Sequence, residues 1–314
     1  MRRLVLVLAA AAACDPHSAG APQDAYVVLD APAHAGAGRG GGLLDELRFA
    51  VVGDTRPTNL DDTAHYPTDI VLRIWNDVLL ETPTPQFAVT TGDYMFASSK
   101  TGSEVDPQLD LYLGARLAFP GWIYPAMGNH ECTGDTDSNC GPGNIDGETP
   151  NYIEFMRRML EPIGVTSPYY VERFAAKDGS WSAKFVFMAA NAWNNAQAAW
   201  FDRALGDPTT YTFVVRHEPH DAESAPGVDP SQAIMARHPL TMLLVGHTHT
   251  YEHVPAYREL IVGNGGAPLT SAFNFGYVII ARQDGGTLQV TSYDFASHAI
   301  VDQFQVNPDG TLVQ

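Results

Sequence analysis

The side chains of this sequence that could do chemistry gather behind short apolar runs. RFAVVGD ends in Asp54, QFAVTTGD ends in Asp93, and WIYPAMGN ends in Asn129, with His130 and Glu131 next in line. TFVVRHEPH carries His217, and LTMLLVGHTH carries His247 and His249 with one residue between them. An i, i+2 pair in extended backbone puts both imidazoles on the same side. Gly246, just before the pair, lets the chain turn tightly as it leaves the strand. Carboxylate, amide oxygen and neutral imidazole together suit Zn, Fe or Mn. An aspartate between two such ions can bridge them. The two ions can then hold both sides of an in-line phosphoryl displacement, with a metal-bound water as nucleophile.

These residues need strands to deliver them and helices to space the strands. Each apolar run ending in glycine plus a polar residue reads as a buried strand with a ligand at its C-terminal end. Between them, Pro67 to about Glu81 carries Ile70, Ile74, Trp75 and Val78 at helical spacing. Further helices are expected at about 106–118, at 151–161 with Tyr152, Phe155, Met156 and Met159 inward, and at about 230–237. Asn194 is placed to cap a helix running through about Leu205. YYVERF and KFVFMAAN read as strands, as do ELIVGN, YVIIARQ, TLQVTSYD and AIVDQFQV in the tail, where Asp-Gly and Gly-Gly turns intervene. Alternating strands and helices predict an α/β layered fold, with the strand ends converging on one crevice.

The 314 residues are 45% hydrophobic and 10% aromatic, ample for a sizeable core. A formal charge of -18 argues against a nucleic-acid backbone as partner and repels anions at long range. A phosphate-type ligand would therefore need a local cation cluster, which bound metal ions could supply. Arg2 and Arg3, then a short apolar run and small residues up to Cys14, read as a targeting segment over 1–13. It resembles a bacterial lipoprotein signal, which implies export and a lipid anchor at Cys14. Ala11 stands where leucine is more usual, and an ordinary signal peptide is the alternative. Residues 14–46, rich in Ala, Gly and Pro, read as a flexible tether holding idle His17 and His34. In an oxidising compartment Cys132 and Cys140 form a disulfide; free thiols or soft metal ligands are the alternative.

Taken together, GDTR at 53–56, GDYMF at 92–96, GNHE at 128–131, RHEPH at 216–220 and GHTH at 246–249 resemble the calcineurin-like metallophosphoesterases, which include purple acid phosphatases. The resemblance runs over about 47–255 and rests on five blocks in order. It implies a four-layer αββα sandwich with mixed sheets over a catalytic domain at 47–314. It also implies a dinuclear site of two metal ions (Fe, Zn or Mn). Asp93 would bridge them, Asn129, His217 and His247 would complete one site, and Asp54 and His249 would serve the other. His130 would face the scissile ester as general acid or phosphate-steadying group, with a purely structural histidine as the alternative. Glu131 would support its loop.

Two positions depart from the family pattern. Arg56 stands where a ligand histidine is common, and Phe96 stands where relatives place a ligand tyrosine or an orienting aspartate. Tyr94 would point the other way if the strand continued. The site of Asp54 and His249 is thus short of a protein ligand. Arg56 either approaches the substrate phosphate and neutralises charge, or pairs with a nearby aspartate. His220, His253, Tyr251, Trp193 and Asn194 are lesser candidates for the crevice, whereas His65, His238 and His298 read as surface or core residues. The expected activity is hydrolysis of small phosphate esters, monoesters before diesters or nucleotides. A non-catalytic phosphate-binding protein with a degraded site is the rival. The expected membrane contact is through the lipid anchor alone.

Overall fold

The computed structural model describes residues 35–100, 103–270 and 274–314. The signal-type segment at 1–13, Cys14, His17, His34 and most of the expected tether lie outside the described residues.

In chain order the main elements are β1 (Gly41–Leu44), β2 (Arg48–Val52), α1 (Thr68–Val78), β3 (Phe87–Thr90), α2 (Val105–Arg116), β4 (Trp122–Pro125), α3 (Pro150–Phe155), β5 (Tyr170–Ala176) and β6 (Ser182–Phe187). There follow α4 (Asn195–Gly206), β7 (Tyr211–Val215), α5 (Val228–Met235), β8 (Met242–Val245), β9 (Tyr251–Val254), β10 (Glu259–Val262), β11 (Gly276–Arg282), β12 (Leu288–Asp294) and β13 (Ile300–Val306). One mixed sheet runs β13-β12-β11-β2-β3-β4 and the other β1-β5-β6-β7-β8-β10-β9.

The sheets stack through phenylalanines. Phe49 of β2 meets Phe185 of β6 at 4.9 Å and Phe213 of β7 at 5.2 Å, and Phe87 of β3 stacks on Phe174 of β5 at 4.3 Å. Along β7 and β8 the period-2 alternation divides two cores. Phe213, Val215 and Leu244 face the inter-sheet core, while Val214, Leu243 and Val245 face α4 and α5. On the other side α1 buries Val71, Ile74, Trp75 and Val78 at helical spacing, together with Leu109 and Tyr112 of α2. The order is helix, sheet, sheet, helix, as expected. Helix α4 starts where Asn194 Oδ1 accepts from Gln197 N at 2.9 Å. At its other end the buried Lys184 ammonium donates to the carbonyls of Ala204 and Leu205, which satisfies acceptors that the helix itself leaves open.

Two expectations need correction, and one strand has no counterpart among the expected elements. The tether does not extend to residue 46: β1 pairs in parallel with β5, Gly41 opposite Arg173 through Leu44 opposite Ala176. The glycines that look like a linker permit this approach, since a Cβ on Gly41 would lie 1.6 Å from the Arg173 carbonyl oxygen. Strand β9, antiparallel to β10, directly follows the histidine pair and carries no pattern of its own. The helix expected over 151–161 is α-helical only to Phe155 and widens into a π-type turn over Met156–Leu160.

The arrangement matters for function because β2, β3 and β4 are parallel neighbours, as are β7 and β8. Their C-terminal ends bring five loops to one place.

Candidate metal centre

The loops leave their strands through left-handed backbone. Among the described residues, four of the seven non-glycine positions with positive φ are Asp54 (57°), Asp93 (59°), His247 (70°) and His249 (49°). Such conformations are uncommon outside glycine and concentrate where the surrounding structure holds a site. Here lies a correction to the i, i+2 reading. His247 and His249 do not stand side by side on an extended strand; each left-handed residue redirects the chain, and the two rings serve different places. Gly246 is also needed for a reason other than turning. A Cβ there would sit 2.2 Å from Asp54 Oδ2 and 2.7 Å from Thr91 Oγ1.

The first cluster comprises Asn129, His217, His247 and Asp93. His217 Nε2 lies 3.1 Å from Asn129 Oδ1, 3.2 Å from Asp93 Oδ1 and 3.2 Å from His247 Nδ1, which is itself 3.2 Å from Asn129 Oδ1. Other partners decide which atoms turn inward. His217 Nδ1 lies 2.8 Å from the Thr91 carbonyl and so carries the proton that it donates there. The Asn129 amide NH2 donates to the Gly134 carbonyl. What converges is therefore an amide oxygen, a carboxylate and two inward ring nitrogens, an arrangement that a cation completes when it displaces the proton from His217 Nε2.

The second cluster comprises Asp54, Asp93 and His249, one ligand atom from each lying within 4.8 Å of the others. His249 Nδ1 faces the Pro268 carbonyl at 2.9 Å, which leaves the Nε2 lone pair inward, 3.6 Å from Asp54 Oδ1. The Arg56 guanidinium already reaches into this cluster. Its Nη2 is 3.2 Å from His249 Nε2 and its Nε is 3.5 Å from Asp93 Oδ2, while Nη1 donates to the Pro57 carbonyl at 3.1 Å. Both Asp54 oxygens accept from the His247 backbone N–H, at 3.1 and 3.0 Å.

His130 Nε2 lies 3.7 Å from Asp93 Oδ2, and its ring meets Phe96 edge-on at 4.6 Å. Its Nδ1 is buried without a hydrogen-bond partner. Glu131 is fully buried and accepts the backbone N–H groups of Asp93, Tyr94 and Gly128 at 2.8–2.9 Å, so it braces the two ligand loops against each other. Tyr94 turns away from the cluster, its hydroxyl donating to the Ala126 carbonyl. Cys132 and Cys140 are joined by a disulfide in the loop that follows Glu131.

The electrostatics separate the two aspartates. Burial pushes Asp54 well above the ordinary carboxylate range. Asp93 is equally buried, but the charge and hydrogen bond of His217 and the charge of Arg56 overcome that effect and hold it low. Burial opposes a charge on His217, yet Asp93 and Asp54 raise it well above the usual imidazole range. Burial lowers His130 to about 3, leaving it neutral at physiological pH.

The lesser candidates are engaged elsewhere. His220 pairs with Glu259 through Nδ1 at 2.8 Å and stacks on Tyr257. His253 stacks on Phe304, and the Tyr251 hydroxyl donates to Asp302. Asn194 is spent as a helix cap, and Trp193 packs edge-on against Phe201. The carbonyls of Thr91, Gly134 and Pro268, which orient three of the candidate ligands, escaped the sequence reading because a carbonyl has no sequence signature.

The model of the calcineurin-like phosphoesterase family matches residues 47–251. Among solved structures, the chain resembles the purple acid phosphatase PPD1 from yellow lupin (Lupinus luteus) with a TM-score of 0.61 at 14% identity, over 83% of this chain and 54% of that one. It thus spans about half the length of the lupin protein. GAP50, the anchor in the inner membrane complex of Plasmodium, aligns with a TM-score of 0.59 at 12% identity over 84% and 89% of the two chains. A dimetal phosphatase from Danio rerio aligns with 0.55 at 12% identity over 84% and 100%. At these identities the likeness is one of fold. A search of curated proteins finds no match.

Proposed function

The chain belongs to the calcineurin-like phosphoesterase family, and on that premise we propose that it hydrolyses small phosphate esters, monoesters in preference, with a metal held at Asn129, His217, His247 and Asp93. The observation that carries this reading is the convergence of Asn129 Oδ1, His217 Nε2 and His247 Nδ1 at 3.1–3.2 Å, with the outer atoms of His217 and Asn129 already committed to carbonyls. A Zn, Mn or Fe ion bound there supplies Lewis acidity and a water acidified towards neutral pH.

The protein's own groups orient and neutralise. Arg56 offers a fixed positive charge next to Asp93, suited to a phosphoryl oxygen. His130 is neutral and lies beside Asp93, placed to donate a hydrogen bond to an ester oxygen and steady it. Glu131 keeps Asp93 and Gly128 in register. The preference for monoesters leans on the fold shared with the lupin phosphatase and is a family-level analogy. Export with a lipid anchor at Cys14 is part of the proposal and is supported by the Arg2-Arg3, apolar and small-residue order before that cysteine. Palmitate labelling that disappears in Cys14→Ser is its test.

A second reading, a binder without turnover, draws support from Arg56 inside the Asp54–His249 cluster. Purified protein assayed against p-nitrophenyl phosphate and its bis ester with Zn, Mn or Fe decides between them. Turnover that chelation removes supports hydrolysis, whereas metal binding without turnover on either ester supports the binder.

A further inference from the structure

The two positions at which the chain leaves the phosphoesterase pattern touch each other. The Arg56 guanidinium lies over the Phe96 ring, 4.6 Å from its centroid, and Phe96 in turn backs His130. The stack gives the guanidinium a fixed plane and a favourable face. From that position Arg56 donates towards His249 Nε2 at 3.2 Å, sits 3.5 Å from Asp93 Oδ2 and is tied back to the Pro57 carbonyl.

We propose that Arg56 is the built-in second cation of this centre: its guanidinium takes the place of a metal at Asp54 and His249, and the protein binds a single metal ion at Asn129, His217, His247 and Asp93. The inference rests on the metal-dependent reading above only for that first position. A guanidinium has donors and no acceptor, so the His249 lone pair that meets Arg56 is not available to a metal. The Pro268 carbonyl holds the other ring nitrogen and prevents the ring from presenting a second lone pair. Asp54 is fixed in place, both oxygens accepting the His247 N–H inside a wall formed by Gly246 and Gly263, and without the His249 lone pair the second position keeps two carboxylates and no imidazole.

Charge points the same way. Counted formally, with the metal ligands deprotonated as metal binding requires, the two aspartates and Arg56 sum to one negative charge, which one divalent ion already overcomes. A second would enter a buried, positive site, where desolvation is large and no counter-charge remains. Phe96 completes the exchange, since it removes an oxygen ligand from the second position and supplies the surface on which the guanidinium rests.

The test is metal stoichiometry of the full chain, measured by elemental analysis after gel filtration and by calorimetric titration with Zn²⁺ or Mn²⁺ alone. Wild type is expected to hold one ion per chain. His249→Ala is expected to hold one ion with affinity within about twofold, whereas His247→Ala weakens it by about 100-fold or more. Arg56→His, which restores a ligand type and removes the cation, is expected to bind a second ion. Two ions in wild type, no ion in wild type, or equal weakening in His247→Ala and His249→Ala would overturn the proposal. Thermal melts of each variant identify loss of fold, in which case Arg56→Gln replaces Arg56→His with the same expectation. Ester turnover on the same samples is scored separately. Two ions with turnover refute the single-metal centre and leave hydrolysis standing; one ion without turnover does the reverse.

Discussion

Arg56 Nη2 lies 3.2 Å from His249 Nε2, so a side chain expected as a metal ligand is the acceptor of a guanidinium N–H. The contact makes Arg56 part of the cluster rather than a surface cation. Arg56→Ala is expected to lower kcat/KM on p-nitrophenyl phosphate by about 100-fold or more, the scale of a lost transition-state charge partner. Arg56→Lys should recover little, because an ammonium has no plane to rest on Phe96. Steady-state kinetics on the three proteins check this, and near wild-type turnover in Arg56→Ala would rule out a role for the guanidinium in the reaction.

Glu131 satisfies three backbone N–H groups from two ligand loops. Its removal leaves buried donors without acceptors. Glu131→Ala is expected to destabilise the fold by about 3–5 kcal/mol and to weaken metal binding through the displaced Asp93 loop. Denaturant titration with and without Zn²⁺ measures both effects.

Gly246→Ala would push a methyl against Asp54 Oδ2 and Thr91 Oγ1. The expected cost is about 1–3 kcal/mol, with weaker metal binding because His247 shifts with the loop. Gly206→Ala, at a position where the nearest atom is 4.0 Å away, is the matched control and should change neither.

Glu172 of β5 is buried, with Oε2 lacking a partner, and burial raises its carboxyl well above the ordinary range. The folded state therefore binds this proton more tightly than the unfolded state. Its contribution to stability is complete below the unfolded pKa and fades as pH rises through the folded one. Glu172→Gln should raise Tm at pH 8 and leave it nearly unchanged at pH 4. An equal shift at both pH values would show that the charge is not involved.

Much of this was legible in the residues. The five strand-end blocks announced the crevice because apolar runs report burial directly, and the spacing of Ile74, Trp75 and Val78 announced α1. Asn194 announced its own cap. What escaped has physical reasons. Strand β1 hides in glycines whose purpose, close approach to Arg173, depends on a partner more than a hundred residues away. The split between His247 and His249 came only with the family resemblance and not from their spacing, because it depends on positive φ at both, which histidine does not advertise. The carbonyls of Thr91, Gly134 and Pro268 select the inward atoms of His217, Asn129 and His249, and any residue could provide them. The contact of Arg56 with Phe96 joins two departures that look independent along the chain.

The most direct test of the metal centre is an anomalous-difference map from crystals of the full chain grown with Zn²⁺. The expected result is one strong peak bounded by Asn129 Oδ1, His217 Nε2, His247 Nδ1 and Asp93, with the Arg56 guanidinium still against His249. A peak between Asp54 and His249 with Arg56 swung away, or no peak at the Asn129 cluster, would contradict it.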